Sequence, residues 1–279
     1  MPLSSSHIPA TRSPRFDQQS QSDAFVRSVR ILDVKVGVMD RHSLVHHVEV
    51  LIQSKTKGWI SYVNIDAVNQ AVREPWLRDF INNSLFSYCD GMGVLAGARI
   101  LGERIPERIT LADCMDELCV TLEHMKARIF FLGASDTTVK RAVMALQLRF
   151  PGIDVCGSAH GYFDLSNGID VQRQINSAKP DIVFVGMGMP RQEEWILKNS
   201  KNVDATLFWS AGALFEFLAG SRKRCPGWMA RSGLEWVYRL AQEPVRLWRR
   251  YIIGNPLFMF RVLSSRLGKP TLGPQNSDL

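Results

Sequence analysis

Arg239, Arg246, Arg249 and Arg250 form the densest group of side chains suited to chemistry in this sequence. A guanidinium group is a planar fork of donors that matches phosphate oxygens, so a row of them can hold a diphosphate. Arg239 and Arg246, seven residues apart, share a helical face, with Arg249 and Arg250 one turn on, if the helix runs past Pro244 with only a kink. The alternative is a basic surface facing solvent or lipid. Trp228, Trp236, Trp248, Tyr251, Phe258 and Phe260 interleave with these arginines, a mixture that suits a membrane interface. It also suits single-stranded nucleic acid, but residues 251–263 are strongly apolar with Arg261 as their one charge, which argues against that partner.

A second group lies at the ends of short apolar runs. Asp90 precedes Gly91-Met92-Gly93, where a carboxylate could take a proton from an attacking hydroxyl or cap a helix. Tyr62-Val63-Asn64 ends another run, and Asn64 is either a cap or a sugar-binding amide; Asp66 reads as a first-turn acid. The turn from Gly186 through Gly188 to Pro190 leads into a helix whose free N–H groups could meet a phosphate or sugar oxygen, or form a tight turn with no ligand. Gln192 stands just inside that helix, as an amide for sugar hydroxyls or as an ordinary exposed residue.

Other chemistries fit less well. Arg191 replaces the third glycine of a dinucleotide fingerprint, and Ser210 stands where an acidic ribose partner would be expected, which disfavours a nicotinamide enzyme. His42, His46 and His47 share a helical pattern without a carboxylate or cysteine partner, and the chain contains no Asp-x-Asp, so no metal site is expected. Some other cation must then neutralise a diphosphate. The five cysteines form no Cys-x-x-Cys pair and read as reduced thiols.

The elements that must position these groups are alternating strands and helices. Strands are predicted at 31–36, 59–63, 85–89, 128–132, 153–156, 181–185 and 206–210, with helices at 111–126, 137–150 and 190–200. This alternation predicts an α/β fold, a Rossmann-like, mostly parallel sheet flanked by helices, whose strand ends share one ligand-binding edge. After Gly220 the pattern is helical only, with pieces at 233–242, 245–253 and 257–267 separated by Pro244 and Pro256. The expected division is a disordered leader over 1–24, a catalytic core over 25–220 and a basic, membrane-associating helical appendage over 221–279.

Composition agrees with this division. The 279 residues are 46% hydrophobic and can bury a substantial core. The net charge of +7 is concentrated between Gly220 and Lys269, where eleven Lys or Arg face only Glu235 and Glu243. The remainder is slightly acidic, so an anionic partner is expected at one end of the molecule. No apolar stretch reaches the ~20 residues of a membrane span, and the leader lacks a signal-peptide core. A cytoplasmic protein, peripheral at the inner membrane face, is the expectation.

The turns Asp90-Gly91-Met92-Gly93-Val94 and Gly186 to Glu193, the Ala219-Gly220 pair, and the segment from Gly233-Leu234-Glu235-Trp236 through Arg239, Glu243-Pro244 and Arg246 resemble the WecG/TagA/CpsF glycosyltransferases. Order and spacing agree over roughly residues 30 to 255. The resemblance implies an inverting enzyme that needs no metal or other cofactor and adds the second sugar to an undecaprenyl-diphosphate-linked first sugar. It implies Asp90 as base, Gln192 as a sugar contact, Asn64 as the strand-end asparagine, and Arg239, Arg246 and Arg249 as diphosphate ligands. Tyr62, where the family commonly has threonine, the segment Arg108 to Asp113, and Glu216 depart from the common pattern. They resemble the exopolysaccharide branch containing the xanthan-type glucosyltransferase, which makes UDP-glucose the leading donor and a UDP-N-acetylmannosamine-type donor the alternative. The implied partners are a UDP-sugar, a polyprenyl-diphosphate-linked acceptor and the membrane surface, and homo-oligomerisation is left open.

Overall fold

The computed structural model describes residues 26–165 and 168–268. The expected leader lies outside the described residues. Six strands form one parallel sheet: β3 (Gly58–Val63), β4 (Phe86–Cys89), β5 (Arg128–Gly133), β6 (Asp154–Ala159), β7 (Ile182–Gly186) and β8 (Leu207–Ser210), in the order β4-β3-β8-β7-β5-β6. The expected single strand at 31–36 is instead an antiparallel hairpin, β1 (Ser28–Ile31) and β2 (Val34–Gly37). Its turn runs through Leu32 and Asp33, both with left-handed backbone (φ 49° and 67°), and neither leucine nor aspartate announces a turn as glycine would.

Helices cover both faces of the sheet, and for that reason its strands read as continuous apolar runs. On one face, Ile60, Phe131, Phe184 and Trp209 pack with α1 (Arg41–Gln53), α5 (Leu111–His124), α6 (Asp136–Arg149) and α9 (Leu214–Leu218). The residues between them in sequence, including Trp59, Phe130, Val185 and Phe208, pack on the other face. There they meet α2 (Ile65–Arg73), α3 (Pro75–Asn82), α4 (Met92–Ile100), α7 (Ile169–Ala178) and α8 (Arg191–Asn199). Strand ends crowd at β5 and β7: a Cβ on Gly133, whose φ is 148°, would come within 2.1 Å of the Gly186 carbonyl oxygen. Only glycine permits that approach.

Beyond β8 the chain forms α10 (Gly227–Arg231), α11 (Glu235–Gln242), α12 (Pro244–Trp248), a π-helical turn (Arg249–Ile253) and α13 (Gly254–Leu267). The change to helices near residue 220 is as expected, but α13 joins the main core: Phe258 and Val262 are fully buried beside α4 and α2. Gly97 of α4 makes room for them, since a Cβ there would stand 2.7 Å from the Phe258 ring. Asn69 of α2 ties the same helix down, donating to the Gly254 carbonyl at 2.8 Å and accepting from Arg261 at 2.8 Å. Pro256 therefore sits within the first turn of α13 and breaks nothing, its missing N–H being one no helix needs there. The opposite side of α13 presents Leu257, Phe260 and Leu263 to the exterior. Among the described residues no helix is long and apolar enough to cross a membrane.

Two phenylalanines on α13 thus do different work. Replacing Phe258 by alanine is expected to destabilise the fold by about 3–5 kcal/mol, whereas Phe260→Ser should change stability by no more than about 0.5 kcal/mol. Thermal unfolding of the two variants measures the difference.

Candidate active site

In a parallel sheet the C-terminal ends of the strands share one edge, and here the loops leaving all six line a cavity of about 790 Å³. Tyr62 lies in β3 and Asn64 follows it, Asp90 follows β4, Ala134 follows β5, Gly161 follows β6, Gly186 ends β7 with Gly188 just beyond, and Ala211 and Gly212 follow β8. Arg239, Arg246 and Arg250, from the helices after Gly220, close the other side. A smaller cavity, about 110 Å³, lies between α4 and the C-terminal helices and is bounded by Met92, Trp236, Tyr251 and Asn255. Asp90, Asn64, Glu235, Arg239 and Arg250 line both cavities.

Asp90 is fixed by its backbone, which donates to the Val63 carbonyl at 2.8 Å. It does not cap α4: Gly91 holds the N-cap position and no side chain bonds there. Burial pushes the Asp90 carboxyl up to about 6, helped by the nearby Glu235 carboxylate and opposed by Arg239, Arg108 and Arg250. An acid so tuned is ionised at neutral pH yet accepts a proton more readily than an exposed aspartate. Asn64 is the N-cap of α2, its Oδ1 accepting from Ala67 N at 3.0 Å. Both of the roles open to it in the sequence remain compatible, since its side chain also borders the cavities.

Gln192 is placed differently from the expected sugar contact. It is fully buried, and its carbonyl oxygen accepts from the N–H groups of Gly188 (3.2 Å) and Gly212 (3.1 Å). Its amide nitrogen donates to Tyr62 Oη (3.3 Å) and Glu193 Oε1 (2.7 Å). Gly188 and Tyr62 themselves border the cavity. Glu193 is also buried; burial pushes its carboxyl up to about 7, against the hydrogen bond from Gln192. Its Oε2 makes no hydrogen bond of good geometry among the described residues, but the buried Ser210 hydroxyl lies close enough to favour the ionised carboxylate as Gln192 does.

The C-terminal arginines do not follow one helical face. Glu243, at φ −136° and ψ 61°, ends α11, and Pro244 starts a new helix. The π turn then alters the phase, so that Arg250 points toward the cavity and lies 3.6 Å from Asp66, while Arg249 is exposed over the Trp248 ring and does not line the cavity. Arg239 borders both cavities with its buried Nε unpaired among the described residues. Arg246 pairs with Glu243, which also holds Arg222 at 2.7 Å. Arg222 and Arg224 line the cavity too and were hidden in the sequence within the general basic count. Arg224 and Arg108 both pair with Asp113, and Arg108 also pairs with Glu235. The segment Arg108 to Asp113 thereby clamps the C-terminal helices to the core. Arg191 is spent on the neighbouring loop, donating to the carbonyls of Gly161 and Phe163. Among the described residues no three His, Cys, Asp or Glu side chains converge as a metal site would require.

Six loops on one sheet edge, a half-buried carboxylate and an arginine-rich helical cover define an α/β protein with a cationic cleft at the carboxyl ends of its strands. The profile of the Glycosyl transferase WecG/TagA/CpsF family matches residues 29–271. The chain belongs to that family. It is similar to N-acetylglucosaminyldiphosphoundecaprenol N-acetyl-beta-D-mannosaminyltransferases of Staphylococcus aureus. Those of strains MW2 and NCTC 8325 / PS 47 are each 34% identical over 215 residues, covering 77% of this chain and 83% of the relative. That of strain MRSA252 is 33% identical over the same share.

Glu193 makes one thermodynamic prediction. Its folded pKa is raised above the unfolded value, so the neutral acid is preferred in the folded state and stability falls as pH rises from about 4.5 to about 7. Glu193→Gln removes that loss. Its melting temperature relative to the parent protein should therefore rise between pH 5 and pH 8, as read by calorimetry at both values.

Proposed function

We propose that this protein transfers a hexosyl unit from a UDP-sugar to a sugar carried on a polyprenyl diphosphate, by a single inverting displacement. The observation that carries the reading is Asp90, a half-buried carboxylate at the junction of two cavities, with arginines on one side and strand-end turns on the other. Asp90 takes the proton of the acceptor hydroxyl as that oxygen attacks the anomeric carbon, and the diphosphate departs on the opposite face. Arg239, Arg246 and Arg250 stabilise the charge growing on the leaving group, with Arg222 beside them. The unpaired Nε of Arg239 supports this, because a buried guanidinium nitrogen without a partner is costly unless a ligand supplies one. Asn64 and the backbone at Gly186 and Gly188 border the donor sugar.

The donor is proposed to be UDP-glucose, on the bulk that Tyr62 brings to the end of the cavity. The printed activity of the staphylococcal relatives favours N-acetylmannosamine as the second reading. The exposed apolar side of α13, with Trp248, Arg249, Ile252 and Ile253 ahead of it and Arg266 near its end, supports docking on the inner membrane face, where such an acceptor resides. Residues 221–253 act in this reading as a cover over the site, held at its far end by α13.

Mass spectrometry of the products formed from a synthetic polyprenyl-diphosphate-sugar and a panel of UDP-sugars decides the reaction and the donor. Asp90→Asn should lower turnover by ~10²-fold or more while donor affinity is kept. In the parent enzyme kcat/KM, which reports the free enzyme, should climb as pH passes about 6, since the base must be deprotonated, and level off above. Normal turnover by the asparagine variant would remove Asp90 from the mechanism.

The arginines are separable by geometry. Arg250→Ala should cost turnover roughly 10²-fold, in the range of other transition-state donors. Arg249→Ala, altering a side chain outside the cavity, should leave soluble-substrate turnover within about twofold, as exposed positions generally do. Steady-state kinetics with a short-chain acceptor compares them.

A further inference from the structure

A primary amide has two N–H donors and a carbonyl oxygen able to accept two hydrogen bonds. All four positions of Gln192 are taken by protein: Gly188 N–H at 3.2 Å and Gly212 N–H at 3.1 Å on its oxygen, Tyr62 Oη at 3.3 Å and Glu193 Oε1 at 2.7 Å on its nitrogen. With no exposed surface, the side chain has neither access to a ligand nor a free hydrogen-bonding position. Apart from Glu193, its partners come from three different places along the sheet edge, Tyr62 within β3, Gly188 in the turn after β7 and Gly212 in the turn after β8. Each of those partners borders the large cavity.

We propose that Gln192 and Glu193 are positioning residues that lock the three central loops of the donor site together and that Gln192 itself touches no substrate. Glu193 orients the amide. If the Gln192 side chain rotated by half a turn, its NH₂ would face the N–H groups of Gly188 and Gly212, and its oxygen would face the Glu193 carboxyl. Oε1 of Glu193 holds the correct orientation by accepting from Nε2. The remaining oxygen, Oε2, lies buried near the buried Ser210 hydroxyl without a hydrogen bond of good geometry to it. A proton on Oε2 removes the charge and gives that oxygen something to donate, and burial already pushes this carboxyl up to about 7. Ser210 follows Trp209, which pairs in register with Ile60 of β3, so the lock extends downward onto the centre of the sheet. Gly188 has positive φ (78°) and open space where a side chain would stand, and its carbonyl accepts from the Gln192 backbone N–H at 3.1 Å, so both of its backbone groups are held by Gln192.

The reading of the cavity as a sugar-donor site rests on the function proposed above; the lock itself does not. Two measurements therefore separate them. Amide hydrogen exchange, followed on peptides covering 186–190 and 211–214, should quicken at least tenfold in Gln192→Ala and in Glu193→Ala, and return toward the parent rate in Glu193→Gln, whose amide can still accept from Gln192. In transfer assays, Gln192→Ala should lower kcat roughly 10- to 100-fold, the scale of a misplaced but intact site. That loss should be the same for the parent donor and for each singly deoxygenated donor sugar.

Unchanged exchange in Gln192→Ala would overturn the lock. A deoxy donor that suffers no further loss in Gln192→Ala would show a direct sugar contact and overturn the positioning role. Glu193→Gln as impaired as Glu193→Ala would show that charge, and not hydrogen-bond geometry, is what matters, which also overturns it. If Gln192→Ala does not fold, the two Glu193 variants carry the same comparison. If the parent protein transfers no sugar, the proposed function fails while the exchange measurement still decides the lock.

Discussion

A carboxylate cannot sit inside a protein at the end of a β-strand unless nearby charge offsets its lost hydration. Asp90 sits half-buried at such a strand end, and β3, which fixes its backbone, carries no cation. The compensating charges are Arg108, from the loop before α5, and Arg239 and Arg250, from the helices beyond Gly220. Glu235, from the same helices, pushes the other way. The protonation state of Asp90 therefore depends on a segment that could otherwise be taken for an appendage, and that segment must be held in place.

The means of holding it are visible. Ion pairs from Arg108 and Arg224 converge on Asp113 and Glu235 at one end, and the buried side chains Phe258 and Val262 anchor the other. Exposed ion pairs contribute little to stability, but those of Arg108 are largely shielded from solvent and gain more. The apolar anchor supplies most of the attachment energy, while the charged end fixes where Arg239 lies. Docking of α13 into the core is consequently a structural requirement of the site, and only its outward face is free to meet another surface.

Much of this was legible in the sequence because parallel strands obey simple rules. Apolar runs ending in Asn64, Asp90, Gly133, Gly186 and Ala211 marked strand ends, and a parallel sheet must bring such ends to one edge. Side-chain direction was less legible. The inward turn of Arg250 and the outward turn of Arg249 depend on whether Pro244 breaks or only kinks the helix, which the sequence left open, and on a π turn, which has no local signal to read. Gln192 misled for a related reason: near the start of a helix, an amide beside a glycine turn looks available to ligand. Its burial follows from the convergence of Tyr62, Gly188 and Gly212, which are distant in sequence.

The charge arrangement also bears on when Asp90 is a strong base. Arg239 and Arg250 lower its proton affinity in the unliganded site. In the proposed reaction the donor's diphosphate pairs with the same arginines, and their field at Asp90 is then largely cancelled. The proton affinity of Asp90 rises as a result, while Glu235 continues to favour the protonated form. Base strength is thus greatest when the leaving group is in place and least when the site is empty. A permanently strong base would require removing the arginines, which the departing diphosphate cannot do without. One set of side chains resolves that conflict because the ligand itself changes what they do to Asp90.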